Sequence, residues 1–313
     1  MNEKRNTVIE SLGVYLPPKE VSSKEILQAC KNALRYPLER LTGIKNRRMA
    51  GEVEFAIDLA RKAVQTCLER SKYTADEVEL LICCNISRYD GPNFQFSFEP
   101  STSVRLRAQL GMPNALCFDI SNACAGMFTG TYIANAFLKS GLVQNAMVVS
   151  GEYITHLTRT AQFEISNERD ERLACLTLGD SGAAAIMELG DNDQDGFHDI
   201  DMYTLGAYSD CCIAKPTTSE AGGAIMLTDS LRIHAVAIGE SVKHVISVLR
   251  KLKWSKKDLK HFIMHQTARS AISELSRQVN ELYKEKLLDT SNMVYNVAER
   301  GNTSSTTHFV AIW

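Results

Sequence analysis

The sequence predicts an α/β fold: a largely parallel sheet with helices on both faces. Three observations point there. Short apolar runs rich in β-formers recur along the 313 residues, and helical patterns lie between them. The apolar runs are also continuous rather than alternating, as strands buried on both faces must be.

Taken in order, residues 6–15 read as an opening strand. Residues 23–32 follow as a helix, with Ser22 or Ser23 as its cap. Residues 54–71 form a long amphipathic helix, and 78–85 are an apolar run. A helix at 101–110 leads to a strand at 115–120, then a helix at 125–140 and a buried strand at 146–150. Residues 191–201 are polar and contain glycine, which predicts a surface loop. A weak internal echo follows: a strand at 80–85 before the helix at 101–110 is matched by a strand at 261–266 before a helix at 268–283. Each follows an amphipathic helix and a short turn ending in Asp, at Asp76 and Asp258. A duplicated α/β unit would account for both.

Composition narrows the function. Lys+Arg number 35 and Asp+Glu 37, for a formal charge of -2, so no global basic field exists to hold nucleic acid. No apolar run approaches the ~18 residues of a membrane-spanning helix. Met1-Asn2-Glu3-Lys4-Arg5 is not followed by the apolar stretch of a secretory signal. The nine cysteines are odd in number and include no C-x-x-C, so zinc spacing is absent and no metal site is expected. Together these predict a protein of the reducing cytoplasm, with most thiols serving as small core hydrophobes.

Three segments carry chemistry. In Ser121-Asn122-Ala123-Cys124-Ala125-Gly126 a strand runs through small residues into a helix, with a thiol at the turn. Helix N–H groups and the positive end of the dipole would stabilise thiolate there and lower its pKa, as a nucleophile needs. A buried Cys opening a core helix is the alternative. In Ile263-Met264-His265-Gln266 a His sits at the C-terminal end of an apolar strand, where α/β sites lie; Gln266 and Thr267 could orient it. A structural His would read the same way. In Gly301-Asn302-Thr303-Ser304-Ser305 the Asn amide could donate to a developing oxyanion beside that His, or the segment could be a plain turn.

Together these segments resemble the ketoacyl-ACP synthase III branch of the thiolase-like condensing enzymes. Leu41-Thr42-Gly43-Ile44-Lys45-Asn46-Arg47-Arg48 is similar to that family's Thr-Gly-Ile-Arg signature. Pro100-Ser101-Thr102 is similar to its helix start, and 121–126 to its nucleophile turn. Leu178-Gly179-Asp180-Ser181-Gly182-Ala183-Ala184 is similar to its Gly-Asp-Gly-Ala segment. His265-Gln266 and Gly301-Asn302-Thr303-Ser304 follow in family order. The resemblance spans nearly the whole chain. It implies an αβαβα sandwich of two duplicated halves, here residues 1–185 with the Cys and 186–313 with the His and Asn. It implies a Claisen condensation. Cys124 takes the acyl group of a thioester of coenzyme A or acyl carrier protein, and His265 and Asn302 hold the enolate oxygen of the second thioester. No permanently bound cofactor is implied. A homodimer is, with a heterodimer as the alternative.

Departures from the family sharpen the expectations. Glu99, just before Pro100, stands where fatty-acid-initiating members carry an apolar residue. A carboxylate there resembles the head-to-head condensing enzymes of olefin and α-pyrone pathways, where it is the proposed base. Its alternative is a charge at a helix N-terminus, worth ~0.3–1 kcal/mol. Glu152, in Ser150-Gly151-Glu152, is read as structural, with later product chemistry as the alternative. Leu41 stands at the family's usual CoA-contacting Arg, which leaves Arg40, Arg47 and Arg48 as candidate contacts for CoA or carrier phosphopantetheine. The sequence ends at Trp313, inside a helix expected from Ser304, so the family's final strand pair is expected to be missing. An acyltransferase that forms no C–C bond, and a non-catalytic partner subunit, are the alternative functions.

Overall fold

The apolar run at 78–85 shows why this sheet forms. In the computed structural model, which describes residues 5–220 and 222–313, the run is strand β2 (Leu80–Cys83). Met1–Lys4, read as lacking a signal, lie outside the described residues. Leu80 and Ile82 point into one hydrophobic cluster with Met127, Leu138, Val148 and Phe309. Leu81 and Cys83 point into another with Val64, Leu106, Met147 and Val149. Both faces are dry, so alternation has nothing polar to show, and each such side chain contributes ~1.5–3 kcal/mol by burial.

The other strands are β1 (Thr7–Tyr15), β3 (Leu116–Asp119), β4 (Asn145–Glu152) and β5 (Ser181–Leu189). Their order is β1-β5-β4-β2-β3. β2 pairs in parallel with β3 and β4. β5 runs antiparallel to both β4 and β1. The expected largely parallel sheet is therefore mixed. The cause is the connection between β4 and β5: Glu152 pairs with Ser181, so residues 153–180 leave and return at the same end of the sheet.

Helix α1 (Ala56–Leu68) lies on one face at close range. A Cβ on Gly13, Gly151 or Gly182 would fall 2.1–2.2 Å from α1 backbone atoms of Cys67, Ala56 and Leu59. Helix α2 (Thr102–Leu110) shares that face, through Leu106. Helix α3 (Gly126–Ser140) takes the other, where Gly130 admits Val148 and the Cys84 sulfur. The helix expected at 23–32 is shorter, Ser23–Gln28. Ser22 and Glu25 close a capping box at its start, and the turn is left after Gln28. Helix α4 (His156–Glu164) belongs to the excursion between β4 and β5.

The second half holds an antiparallel pair, Cys212–Pro216 with Ala224–Thr228, and two long helices. Helices α5 (Ser230–Leu252) and α6 (Arg269–Tyr283) pack through Ile238, Val242, Ile246 and Leu249 against Ala271, Leu275 and Val279. The strand expected at 261–266 is instead an isolated parallel bridge between Phe262 and Met293. Its two backbone bonds, Phe262 N to Asn292 O (2.7 Å) and Val294 N to Phe262 O (3.0 Å), do not extend into a ladder. The 185/186 division falls inside β5. The last helix, α7 (Thr307–Ile312), returns to the first half, where Phe309 and Val310 join the core beneath α3. That return brings the Asn302 segment to the nucleophile turn.

Candidate active site

Cys124 lies in a 3-10 turn, Ala123–Ala125, between β3 and α3. The strand is held to the turn by Ile120 N donating to Cys83 O at 2.9 Å. Ala123 adopts φ +43°, the left-handed region that a residue with a Cβ occupies at a cost. Gly126 lets the start of α3 meet the Cys84 carbonyl; a Cβ there would sit 3.0 Å from that oxygen. The thiol is half-buried, and its hydrogen-bond partner is the Ser304 hydroxyl, Sγ to Oγ 3.7 Å. Burial pushes the thiol up to about 11, and the Ser304 bond opposes that rise. The expectation of a lowered pKa at a helix start meets an opposing effect here, the loss of water around the sulfur.

Asn302 comes from the other half. Its backbone bridges Leu178: Asn302 N donates to Thr177 O (2.9 Å) and Gly179 N to Asn302 O (3.0 Å). Gly301 makes the bend at φ +66°, where a Cβ would meet Thr177 O at 2.9 Å. The Asn302 Oδ1 accepts the Ser304 N–H at 3.0 Å. With its oxygen so committed, the amide has Nδ2 as its remaining polar atom, a donor. Ser304 is itself left-handed, φ +59°. It touches the Cys124 thiol with its side chain and holds the Asn302 amide oxygen with its backbone N–H. The following residues are fastened below: Ser305 Oγ donates to Glu152 Oε1 (2.5 Å), and Thr306 pairs with Ser181 (2.6 Å).

His265 is held through its neighbour. Gln266 is fully buried. Its Nε2 donates to Met264 O (3.0 Å) and Val294 O (3.2 Å), while its Oε1 accepts from Asn296 N (3.0 Å) and Val297 N (3.3 Å). That clamp ties the His265 segment to the chain leading into Asn302. The His265 Nδ1 is buried without a hydrogen-bond partner among the described residues. Burial lowers its pKa to about 4, so the ring is neutral at physiological pH. It stacks on His308, ring centroids 5.7 Å apart at 26°. His308 was not foreseen. The signal was available: Ser304 and His308 are four apart at a helix start, and so are Cys124 and Phe128, whose ring meets His308 edge-on at 4.6 Å.

The structure therefore brings Cys124, Ser304 and Asn302 together directly, and joins His265 to them through His308 and Phe128. Glu99 is exposed and makes no hydrogen bond or ion pair among the described residues. The first N–H groups of α2 are taken instead by Asp119, at Thr102 N (3.1 Å) and Ser103 N (2.8 Å). Arg40 is exposed. Arg48 pairs with Glu20 (3.1 Å) and donates to Pro18 O (2.8 Å). Arg47 departs from its expected place as a phosphate contact. It is 0% exposed, and its Nη2 donates inward to Ser23 Oγ (3.2 Å) and Leu176 O (3.0 Å). Its Cβ lies beneath Gly179 and Gly301, so it braces the Asn302 segment. Glu152 is fully buried and accepts from Ile86 N, Ser87 N, Ser150 and Ser305.

Residues 118–206 match the family model described as 3-oxoacyl-[acyl-carrier-protein (ACP)] synthase III. The beta-ketoacyl-[acyl-carrier-protein] synthase III of Sulfurimonas denitrificans is 28% identical over 311 residues, covering 96% of this chain and 87% of that protein. Among solved structures, the 3-oxoacyl-(acyl carrier protein) synthase III of Pseudomonas aeruginosa PAO1 superposes with a TM-score of 0.80 at 23% identity. That match covers 98% of this chain and 88% of the other. Cerulenin-bound OleA of Xanthomonas campestris gives 0.76 at 21%, with coverage of 98% and 88%. At those identities the superpositions speak for the fold, a thiolase-like α/β architecture.

Proposed function

We propose that this chain, which belongs to the ketoacyl-ACP synthase III branch of the thiolase-like condensing enzymes, joins two acyl thioesters through an acyl-Cys124 intermediate. It is an acyl-transferring, condensing enzyme, and the steps below are our reading of how its residues act. The observation that carries them is the contact set at Ser304: thiol on the hydroxyl, Asn302 on the backbone N–H.

Cys124 Sγ attacks the first thioester carbonyl. The S–C bond forms, and the donor's thiol leaves with the Cys124 proton. The second thioester then places its carbonyl oxygen between the Asn302 Nδ2 and an N–H of neutral His265. As the α-carbon becomes nucleophilic, charge grows on that oxygen, and donors held ready in a dry site lower the barrier by several kcal/mol. The carbanion attacks the acyl-Cys124 carbonyl, the new C–C bond forms, and Cys124 thiolate departs. The paired donors favour condensation over simple acyl transfer, which needs no enolate.

Glu99 is the proposed base when the second thioester carries no carboxylate to lose. Asp119 already takes the first N–H groups of α2, which supports the base over a helix-terminus charge as the role of Glu99. Its exposure suits a residue acting across a homodimer. Edge strand β3, with Leu116 half-exposed, and Phe98, 83% exposed beside Glu99, support a second copy on that side. Arg40 and Arg48 remain the proposed contacts for the CoA or carrier phosphopantetheine arm. No helix among the described residues is long and apolar enough to cross a membrane. A cytoplasmic setting, where thiols stay reduced, goes with this reading.

Intact-mass spectrometry after incubation with a panel of acyl-CoA and acyl-carrier thioesters tests it. One acyl mass on the native chain and none on Cys124→Ala is expected. Acylation of Cys124→Ala at the native level would overturn the assignment.

A further inference from the structure

His308 has no place in the steps above, yet its ring lies against the ring that does. Three facts bear on it. Its ring is parallel to that of His265 within 26°, centroids 5.7 Å apart. Its other neighbour, Phe128, closes on it edge-first at 4.6 Å, so the imidazole is held between two rings. The Nδ1 atoms of both histidines are buried and unpartnered among the described residues. A buried polar atom without a partner costs stability, and one such atom in a core calls for an explanation. Two on adjacent stacked rings, one turn from the nucleophile's own contact, point to a built feature.

The surroundings define what it can do. Among the described residues His265 has no hydrogen bond to fix its ring plane; the Gln266 clamp holds only its backbone segment. The ring stacked on it, His308, then bears on how the His265 imidazole is oriented. Phe128 of α3 meets His308 on its other side, and the Cys124–Ser304 contact lies at the start of that helix. Burial holds both imidazoles neutral, and a proton on His265 further opposes one on His308.

We propose that His308 is a positioning residue for His265: the stacked ring fixes the plane of the His265 imidazole so that its N–H and the Asn302 amide reach the same oxygen. This inference rests on the reading of His265 and Asn302 as enolate donors. It assigns to α7 a share in the condensation step and none in acylation of Cys124.

The test uses the full chain with His308→Ala, which removes the stack, and His308→Phe, which keeps a ring and loses both nitrogens. Acyl loading of Cys124 is expected to stay within ~2-fold of native in both. Condensation by preloaded enzyme is expected to fall ~10-fold or more in His308→Ala, in kcat rather than KM, because small misplacement of a catalytic group is costly. His308→Phe is expected to recover most of that loss. A second readout follows the ring protons by NMR: in His265→Phe the His308 pKa should rise, since the opposing charge is gone. Equal loss of loading and condensation, normal condensation in His308→Ala, no recovery in His308→Phe, or an unmoved His308 titration would each overturn the proposal. If His265→Ala itself condenses normally, the enolate reading fails and this inference falls with it. If His265→Ala is impaired and His308→Ala is not, only this inference fails.

Discussion

Ser304 joins the two sides of the site at the level of single atoms. Its hydroxyl is the bond that works against the burial of the Cys124 thiol. Removing it should leave the thiol harder to ionise. Ser304→Ala is expected to shift iodoacetamide labelling of Cys124 to higher pH and slow it ~3–10-fold at pH 8, the size of one hydrogen bond. Labelling at the native rate would show that the hydroxyl does not tune the nucleophile. In the proposed chemistry Asn302 and His265 act at a later step than Cys124. Asn302→Ala and His265→Ala should still acquire the acyl mass, yet lose condensation by ~10²–10³-fold. Loss of loading with normal turnover of preloaded enzyme would contradict that division. Arg47 makes a different point about residues. Its sequence neighbourhood suggested a contact with solvent-borne phosphate, but nothing in a basic run says which member turns inward.

Helix α4 carries a titration that the chemistry does not use. His156, its first residue, is buried between Tyr89 (ring centroids 4.6 Å) and Tyr153 (5.6 Å), and burial lowers its pKa to about 3. The unfolded chain protonates this group near its ordinary 6.5, and the fold resists doing so. Its contribution is therefore complete above 6.5 and is lost progressively as pH falls toward 3. By pH 5 the loss is ~2 kcal/mol from this group alone. His156→Phe should narrow the gap in urea midpoint between pH 7.5 and pH 5; an unchanged gap would place the acid sensitivity elsewhere. Much at this scale could be read from sequence. The apolar runs gave four strands of the first sheet, β1 to β4, but not β5, and the helices α1, α2 and α3 lie within a few residues of expectation. Strand direction was not readable, because an apolar run carries no sign for its partner's orientation; β5 had to be seen paired to Glu152. Residues 261–266 have the composition of a strand but only Met293 opposite Phe262, and composition does not count neighbours. Asp119 stood in plain view before the nucleophile turn, but its role as cap of α2 depends on the β3 register. His308 lies three residues beyond the Asn302 segment that drew attention, on a helix whose facing was unknown until α7 was placed.

For the whole molecule, the two halves meet where residues 297–313 cross back onto the first sheet, so the site is assembled by tertiary return. In the proposed homodimer, Glu99 would extend that logic to a second copy. Glu99→Gln should leave acylation of Cys124 intact and slow single-turnover condensation ~10²-fold with donors that carry no carboxylate, the usual scale for a general base. Malonyl-type donors, which generate the carbanion by decarboxylation, should be spared. Unchanged rates with both donor types would remove Glu99 from the chemistry. Strand β3 holds one consequence more. It is the edge of the sheet, and it is also the strand that runs into Cys124. A second chain hydrogen-bonded along Leu116–Asp119 would steady the nucleophile turn from outside, and its departure would release it. Specific turnover should then depend on how concentrated the enzyme is. Stocks diluted into assay should lose rate over minutes, and reconcentrated stocks should show a lag before full speed returns.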